Sequence, residues 1–238
     1  MSLTYTTFTS QLANLLVIPT TDPNFLTFLP GCIDYAEQRI YRELNLLETI
    51  VRDTSGAVTA NNRTFNLPNS LGRFVAVSEI NVVTPVATTT LTGTRNRVLP
   101  ASLAYVDFLY PVETTTATSV PSRFAMVTDQ QVVFGPAPSA AYQVEVVGTI
   151  RPTPLSVSNP TTYLTLYLPD LFMAAAMVFA TGYQRDFGSQ TDDPRMSQSW
   201  ENQYQTLLKS ATAEEVRKKY NEQFSAILAM PPTSGGVV

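Results

Sequence analysis

The residues of this chain that could perform chemistry are a few carboxylates, one cysteine and a short run of cations. Adjacent acids occur as Asp192 with Asp193 and as Glu214 with Glu215, and paired carboxylates can bind a metal ion or act as general acid and base. Each pair lies at a predicted helix start, where acidic side chains interact favourably with the helix dipole. We therefore interpret both pairs as structural, and the sequence predicts no metal site.

Imidazole and thiol chemistry have almost no basis in the sequence. The chain has no histidine, which excludes catalytic dyads and triads built on imidazole. Cys32 is the single cysteine, and its place on an apolar helical stripe predicts a core residue rather than a nucleophile. The ten glycines form no phosphate-binding loop with a lysine. The sequence therefore predicts a protein that is not an enzyme and that binds no cofactor.

The one concentrated basic stretch consists of Lys209, Arg217, Lys218 and Lys219. Such a stretch is usually a solvated helix face, but it could also contact DNA or an acidic protein surface. The formal net charge is −4, which argues against tight nucleic-acid binding because that affinity comes from Lys and Arg. Only 14% of the residues are charged, so we expect a largely neutral polar surface.

The first elements of the chain are predicted to be helices. Residues 5–17 form a short helix, and a long amphipathic helix then begins at Pro23 after an Asp22 N-cap, with a possible kink at Pro30 and Gly31. Its apolar stripe is Phe25, Leu29, Ile33, Ala36, Ile40, Leu44 and Leu47. The charges on its other face are expected to be solvated: Asp34, Glu37, Arg39, Arg42 and Glu43.

From about residue 48 the hydrophobic period changes to two, which indicates short strands. The candidate strands are residues 49–53, 63–67, 73–83, 86–91, 122–128, 131–134 and 142–151. Asp129 and Gln130 are predicted to form the turn of a hairpin. Residues 100–110 have helical spacing and are expected to lie over a sheet edge as a short helix.

Helices resume after a proline-rich linker at residues 151–160. Asp170 is the predicted N-cap of a buried helix that stops at Gly182, and its apolar run, residues 171–180, is too short to span a membrane. The final helical region follows Pro194. Its predicted apolar stripe is Trp200, Tyr204, Leu208, Ala211, Val216, Tyr220, Phe224 and Ile227. Thr212 and Glu215 have the spacing of a capping box, which predicts two helices meeting near Ser210.

The predicted fold class is α+β, with a helical bundle formed by the N- and C-terminal helices and an inserted antiparallel β-domain that is β-sandwich-like. The bundle comprises residues 1–47 and 152–230, the β-domain residues 48–151, and a flexible C-terminal tail residues 231–238. Residues 1–16 lack the features of a secretory signal, so we expect synthesis in the cytoplasm.

Two strings in this order of elements carry a family resemblance. Residues 34–44 read DYAEQRIYREL, and after the β-insert Pro169-Asp170-Leu171 leads into an alanine-rich helix. This order resembles the head-to-tail adaptor, or connector, proteins of short-tailed phages, the podoviruses. The resemblance covers residues 25–224, nearly the whole chain.

The resemblance implies a structural virion protein at the head–tail junction. Family members form a homo-oligomeric ring, commonly a dodecamer, between the portal protein and a downstream tail or nozzle protein, and DNA passes through its channel without specific binding. The helical part and the C-terminal segment are expected to engage the portal. The candidate portal contacts are Lys209, Arg217, Lys218, Lys219, Met230, Pro231, Pro232, Val237 and Val238.

Two other functions fit parts of the sequence. The β-insert, with its Tyr and Asn residues, could be a tail-associated β-sandwich module that binds carbohydrate or a receptor. The Asp and Glu pairs could serve a carboxylate-dependent hydrolase. The long flanking helices argue against the first alternative, and the structural interpretation of the acid pairs argues against the second.

Overall fold

The structure is a computed structural model that describes residues 3–112, 118–184 and 195–228, with side chains described for residues 3–112, 118–181 and 198–220. Six α-helices and seven β-strands occur in this part of the chain, which confirms the predicted α+β class. The described residues form two compact units, one from Met1–Leu47 and Pro154–Val238 and the other from Glu48–Thr153. Each unit has its own hydrophobic core.

The elements are numbered along the chain. The helices are α1 (Tyr5–Leu16), α2 (Pro23–Glu43), α3 (Leu103–Leu109), α4 (Tyr163–Tyr167), α5 (Pro169–Gln184) and α6 (Arg195–Leu228). The strands are β1 (Ile50–Ala57), β2 (Thr64–Asn66), β3 (Arg73–Thr84), β4 (Thr94–Pro100), β5 (Arg123–Thr128), β6 (Gln131–Gly135) and β7 (Gln143–Arg151). No described helix is long and apolar enough to cross a lipid bilayer.

Helix α2 begins as the sequence predicts. The Asp22 carboxylate accepts hydrogen bonds from the Asn24 and Phe25 amides, and Pro23 occupies the first turn, where its missing N–H costs nothing. The helix continues through Pro30 and ends at Glu43. Its apolar stripe from Phe25 to Ile40 is buried in the core of the first unit. The predicted stripe runs too far, because Leu44 and Leu47 lie beyond the end of the helix and Leu47 is only half-buried.

Helix α5 packs against α2. Cys32 is fully buried, and its thiol donates to the Ala176 carbonyl over 3.4 Å. Burial raises the pKa of Cys32 to about 12, which confirms its prediction as a core residue. Helix α5 begins at Pro169 and continues to Gln184. Asp170 therefore lies in the first turn instead of at the predicted cap, and the predicted stop at Gly182 is too early.

The second unit contains one seven-stranded sheet with the order β1-β7-β3-β4-β5-β6-β2. Strands β4 and β5 pair in parallel and the other neighbours pair antiparallel. The sheet is therefore mixed, which corrects the prediction of an antiparallel domain. The reason is α3, which lies between β4 and β5 and provides the crossover connection that a parallel pair requires.

Strand β4 is not where the sequence predicts a strand. Residues 86–91 are rich in β-branched side chains but form turns, and Ala87 has a left-handed φ of 65°. The strand instead begins at Thr94 with polar residues. The Arg95 side chain donates to Glu145, a fully buried carboxylate on β7. A pattern of neighbouring residues cannot predict this ion pair, because the two residues are far apart in the sequence.

Candidate functional site

Helix α6 is one continuous helix of 34 residues, which corrects the predicted break near Ser210. The predicted capping box does not form. The Thr212 hydroxyl donates to the Leu208 carbonyl one turn earlier, and the Glu215 carboxylate accepts from the Leu47 amide instead of an amide of its own helix. Because neither side chain caps α6, nothing ends the helix at this point.

One face of α6 presents four side chains to solvent: Lys209, Val216, Arg217 and Tyr220. We call this set the α6 stripe. Val216, Arg217 and Tyr220 follow Lys209 by seven, eight and eleven residues, and these spacings put all four on the same side of a helix. Val216 is 60% exposed and Tyr220 is 62% exposed, although the apolar pattern predicts both in the core. The side chains of Phe224 and Ile227, predicted on the same pattern, lie outside the described residues.

The opposite face of α6 holds the helix to the first unit. Tyr204 is fully buried, and Ala211 and Glu215 are nearly so. The buried side of the helix therefore passes through Glu215, not through Val216. Sequence periodicity favours the apolar residue at this step, but the helix buries the carboxylate because the carboxylate has hydrogen-bond partners.

Glu215 is the centre of a polar cluster. Its carboxylate accepts hydrogen bonds from the Leu47 amide at 3.0 Å, from the Tyr163 hydroxyl at 3.4 Å and from Lys218 at 2.8 Å. Burial acts to raise the pKa of Glu215, but the hydrogen bonds from Lys218 and Leu47 outweigh it, so the pKa lies below its usual value. The cluster fastens α6 to the chain just after α2 and to α4.

The four predicted basic contacts divide into two groups. Lys218 donates to Tyr163 and pairs with Glu214 and Glu215, and Lys219 donates to the Asn45 carbonyl. Lys209 and Arg217 are exposed and make no ion pair or hydrogen bond with any described residue. Two cations of the α6 stripe are therefore available to a partner, whereas Lys218 and Lys219 contribute to the internal structure.

Near its N-terminal end α6 is tied to α2 by an arginine. Arg39 donates to both carboxylate oxygens of Glu201, at 2.8 and 2.6 Å, and its guanidinium lies 4.2 Å from the centre of the Tyr204 ring. The Tyr204 hydroxyl donates to Glu43 at 2.8 Å. The hydrogen bond to Glu201 raises the pKa of Arg39. Bidentate pairing and stacking on a ring are geometries that arginine provides and lysine does not.

Two charges on α2 are not solvated as the sequence predicts: Arg39, whose side chain is 15% exposed, and Glu37. Glu37 is buried, and its carboxylate accepts from the Leu155 amide at 3.0 Å. Burial, with a smaller effect from the Asp34 charge, raises the pKa of Glu37 to about 7 against the opposing effect of that hydrogen bond. Glu37 therefore orders the chain segment that returns from the second unit.

The acidic residues do not assemble into a catalytic centre within the described part of the chain. An open groove of about 720 Å³ beside α2 is lined by Asp34, Glu43 and Glu201 among others, but the last two accept hydrogen bonds from Arg39. No three acidic, thiol or imidazole groups among the described residues could hold a metal ion.

The structure describes one of the two predicted acid pairs. Glu214 and Glu215 lie inside α6 and not at a helix start, which corrects their predicted position, and only Glu215 is buried. Asp192 and Asp193 lie outside the described residues. The same holds for the predicted tail contacts Met230, Pro231, Pro232, Val237 and Val238.

The family model described as SU10 adaptor protein matches residues 3–226, which includes both units and almost all of α6. No curated protein matches the sequence. Because the match extends through nearly the whole chain, the chain belongs to the SU10 adaptor protein family, a family of phage head-to-tail adaptor proteins.

Proposed function

We propose that this phage adaptor protein is a structural subunit of a ring at the head–tail junction of the virion, between the portal protein and a downstream tail or nozzle protein. Family membership supports the adaptor role. In this proposal the ring is a dodecamer of the podovirus type, and it extends the channel through which DNA leaves the head. Each subunit adds a formal charge of −4, so the ring has little reason to hold DNA as it passes.

The observation that carries the proposal is the α6 stripe. A partner that covers Val216 and Tyr220 removes apolar surface from water, which favours association. The same partner would desolvate Lys209 and Arg217, and this is tolerable only if it supplies acidic groups. The stripe therefore fits an acidic protein surface with apolar residues between the acids, and we assign that surface to the portal.

Three further groups enter the proposal with different roles. Lys218 and Lys219 support the stripe from within the chain, because Glu215 and the Asn45 carbonyl hold their ammonium groups. Residues 230–238 follow α6 directly in the sequence. Their apolar members are the proposed anchors in the portal: Met230, Pro231, Pro232, Val237 and Val238.

The test is cryo-electron microscopy of the protein mixed with the portal protein of the same phage. We expect a symmetric ring added to one end of the portal, and its subunit number can be counted directly. Bare portals under conditions in which both proteins are folded would overturn the proposal.

Charge reversal identifies the surface. The double variant K209E/R217E should reduce portal affinity about tenfold or more and weaken its salt dependence. The variant R97E reverses an exposed arginine in the second unit and should bind like the wild type. A loss of binding in R97E in proportion to its charge change, which is half that of the double variant, would show that the net charge, and not the α6 stripe, determines attachment. Deletion of residues 230–238 should leave the chain folded and weaken attachment.

A further inference from the structure

Helix α3 in the second unit is unusual because most of its large side chains face solvent. Its single buried residue is Val106. The exposed apolar side chains of the helix and the residues after it are Leu103, Tyr105, Phe108, Leu109 and Val112. Phe108 is the extreme case at 82% exposed. Exposed apolar side chains grouped on one short helix and the residues after it form a patch, and such a patch on a folded unit marks an interaction surface.

This patch is held rigidly. Arg63 is buried, and its guanidinium donates to the Phe134 carbonyl, the Tyr110 carbonyl and the Asp107 carboxylate. The Tyr110 ring packs over Gly135, where a Cβ atom would lie 2.5 Å from the ring. The helix is therefore fixed at its C-terminal end, so binding of Phe108 requires ordering of its side chain but little ordering of the backbone.

The same unit also contains an apolar groove of about 320 Å³. Its lining includes Phe74, Val75, Val77, Pro100, Phe124 and Met126. The groove exists because the sheet is incomplete at this point. Strand β3 pairs with β4 only from Ile80 onward, and β4 pairs with β5 only at Leu99 and Pro100. Within the described part of the chain, no strand therefore pairs with the first half of β3 on the side away from β7.

The polar groups at the groove are already satisfied by the chain itself. Arg73 pairs with Asp129, and the Gln130 side chain donates to the Phe74 carbonyl at 2.8 Å. These residues include no unpaired charge that would favour a charged ligand. The apolar lining also offers few hydrogen-bond partners for the hydroxyl groups of a sugar. The groove is suited to one aromatic or aliphatic side chain.

We propose that Phe108 of one copy of this chain inserts into the groove between β3 and β5 of a second copy. Both surfaces lie on one unit at different places, and no described residue fills either of them, since Phe108 is exposed and Val75 at the groove is 61% exposed. The contact is heterologous, because each copy gives a side chain to one neighbour and receives one from the other. Contacts of this type generate a closed ring when the rotation closes.

This inference rests on the proposed ring for its biological setting, but it can be tested without the portal. Two variants each remove one side of the contact: F108S removes the inserted side chain, and V75W fills the groove. The matched control is L91S, which removes an apolar side chain that is 92% exposed in a loop of the same unit. Circular dichroism and thermal melting establish that each variant is folded.

Sedimentation of the full chain over a concentration series gives the first result. The wild type and L91S should self-associate as concentration rises, and F108S and V75W alone should associate at least tenfold more weakly. An equimolar mixture of F108S and V75W should form a one-to-one dimer and nothing larger, because one groove and one phenyl ring remain to make a single contact.

Three outcomes would overturn the inference. In the first, the wild type stays monomeric at every concentration. In the second, F108S associates as strongly as the wild type. In the third, F108S and V75W are folded but do not pair when mixed. F108S could instead bind a tail protein more weakly than the wild type does while its self-association is unchanged. That result would assign the patch to the tail protein and also reject the inference. Failure of the ring proposal is seen separately, as bare portals in the microscopy.

Discussion

The Nη2 atom of Arg63 lies 3.0 Å from Oδ1 of Asp107, and only one of these two side chains is shielded from water. The Arg63 side chain is 4% exposed and the Asp107 side chain is 54% exposed. The two halves of this ion pair should therefore contribute very unequally to stability.

Replacing Arg63 with methionine should reduce the free energy of unfolding by about 2–4 kcal/mol, because the Phe134 and Tyr110 carbonyls lose a charged donor. Replacing Asp107 with asparagine should cost less than about 1 kcal/mol, since an exposed ion pair contributes little. Urea unfolding of both variants measures the difference. Similar losses in the two would mean that the arginine acts through Asp107 rather than through the carbonyls.

Glu37 should make the protein less stable as the pH rises. Its pKa is about 7 in the folded chain against an ordinary value of 4.5, so the folded state binds more protons between these values and stability falls across this interval. Glu37→Gln keeps an acceptor for the Leu155 amide and removes the charge. At about pH 8 the variant should be more stable by up to about 3 kcal/mol, and near pH 4 the two proteins should be alike.

Urea unfolding of wild type and E37Q at several pH values provides the measurement. Asp34→Asn is the control, because that residue is exposed and affects Glu37 only through its charge. Parallel pH profiles for wild type and E37Q would contradict the assignment of this slope to Glu37.

Glu215 should have the opposite pH dependence. Its folded pKa is lowered, so its contribution to stability is fully present above the ordinary glutamate pKa and is lost as the pH falls through the folded value. Glu215→Gln should cost about 1–3 kcal/mol at neutral pH, and the difference should shrink on acidification. Glu214→Gln, which alters an exposed partner of the same Lys218, should cost less than about 1 kcal/mol.

A substitution of Thr212 tests whether α6 is one continuous helix or two helices with an N-cap at this residue. Because it donates to Leu208 inside α6, Thr212→Ala should leave the melting temperature unchanged or raise it slightly, as alanine is the better helix former. Thr4 is the reference, since it caps α1, and Thr4→Ala should cost about 1 kcal/mol. Equal losses in the two variants would indicate a cap at Thr212.

Local patterns predict the elements whose signals are local. The Asp22 cap, the apolar stripe of α2 as far as Ile40 and the turn at Asp129 and Gln130 need only neighbouring residues to specify them, and the structure confirms these three features. The placement of Cys32 in the core follows from the same periodicity.

The errors occur where a distant partner decides the outcome. Arg95 on β4 contacts Glu145, and Glu215 within α6 accepts a hydrogen bond from the Leu47 amide. Both partners are far away in sequence, so no window of residues contains the information. The sequence pattern does not predict the α6 stripe for the same reason. Burial of Glu215 places Val216 and Tyr220 on the solvent side of the helix.

The burial of Cys32 has a practical consequence. A thiol with a pKa of about 12 carries almost no thiolate at neutral pH, and full burial keeps alkylating reagents away from it. Because the chain has no second cysteine, any cysteine introduced on the surface becomes the one reactive site. Fluorophores, spin labels and heavy atoms can therefore be attached at chosen positions without first replacing the native thiol and disturbing the packing of α2 on α5.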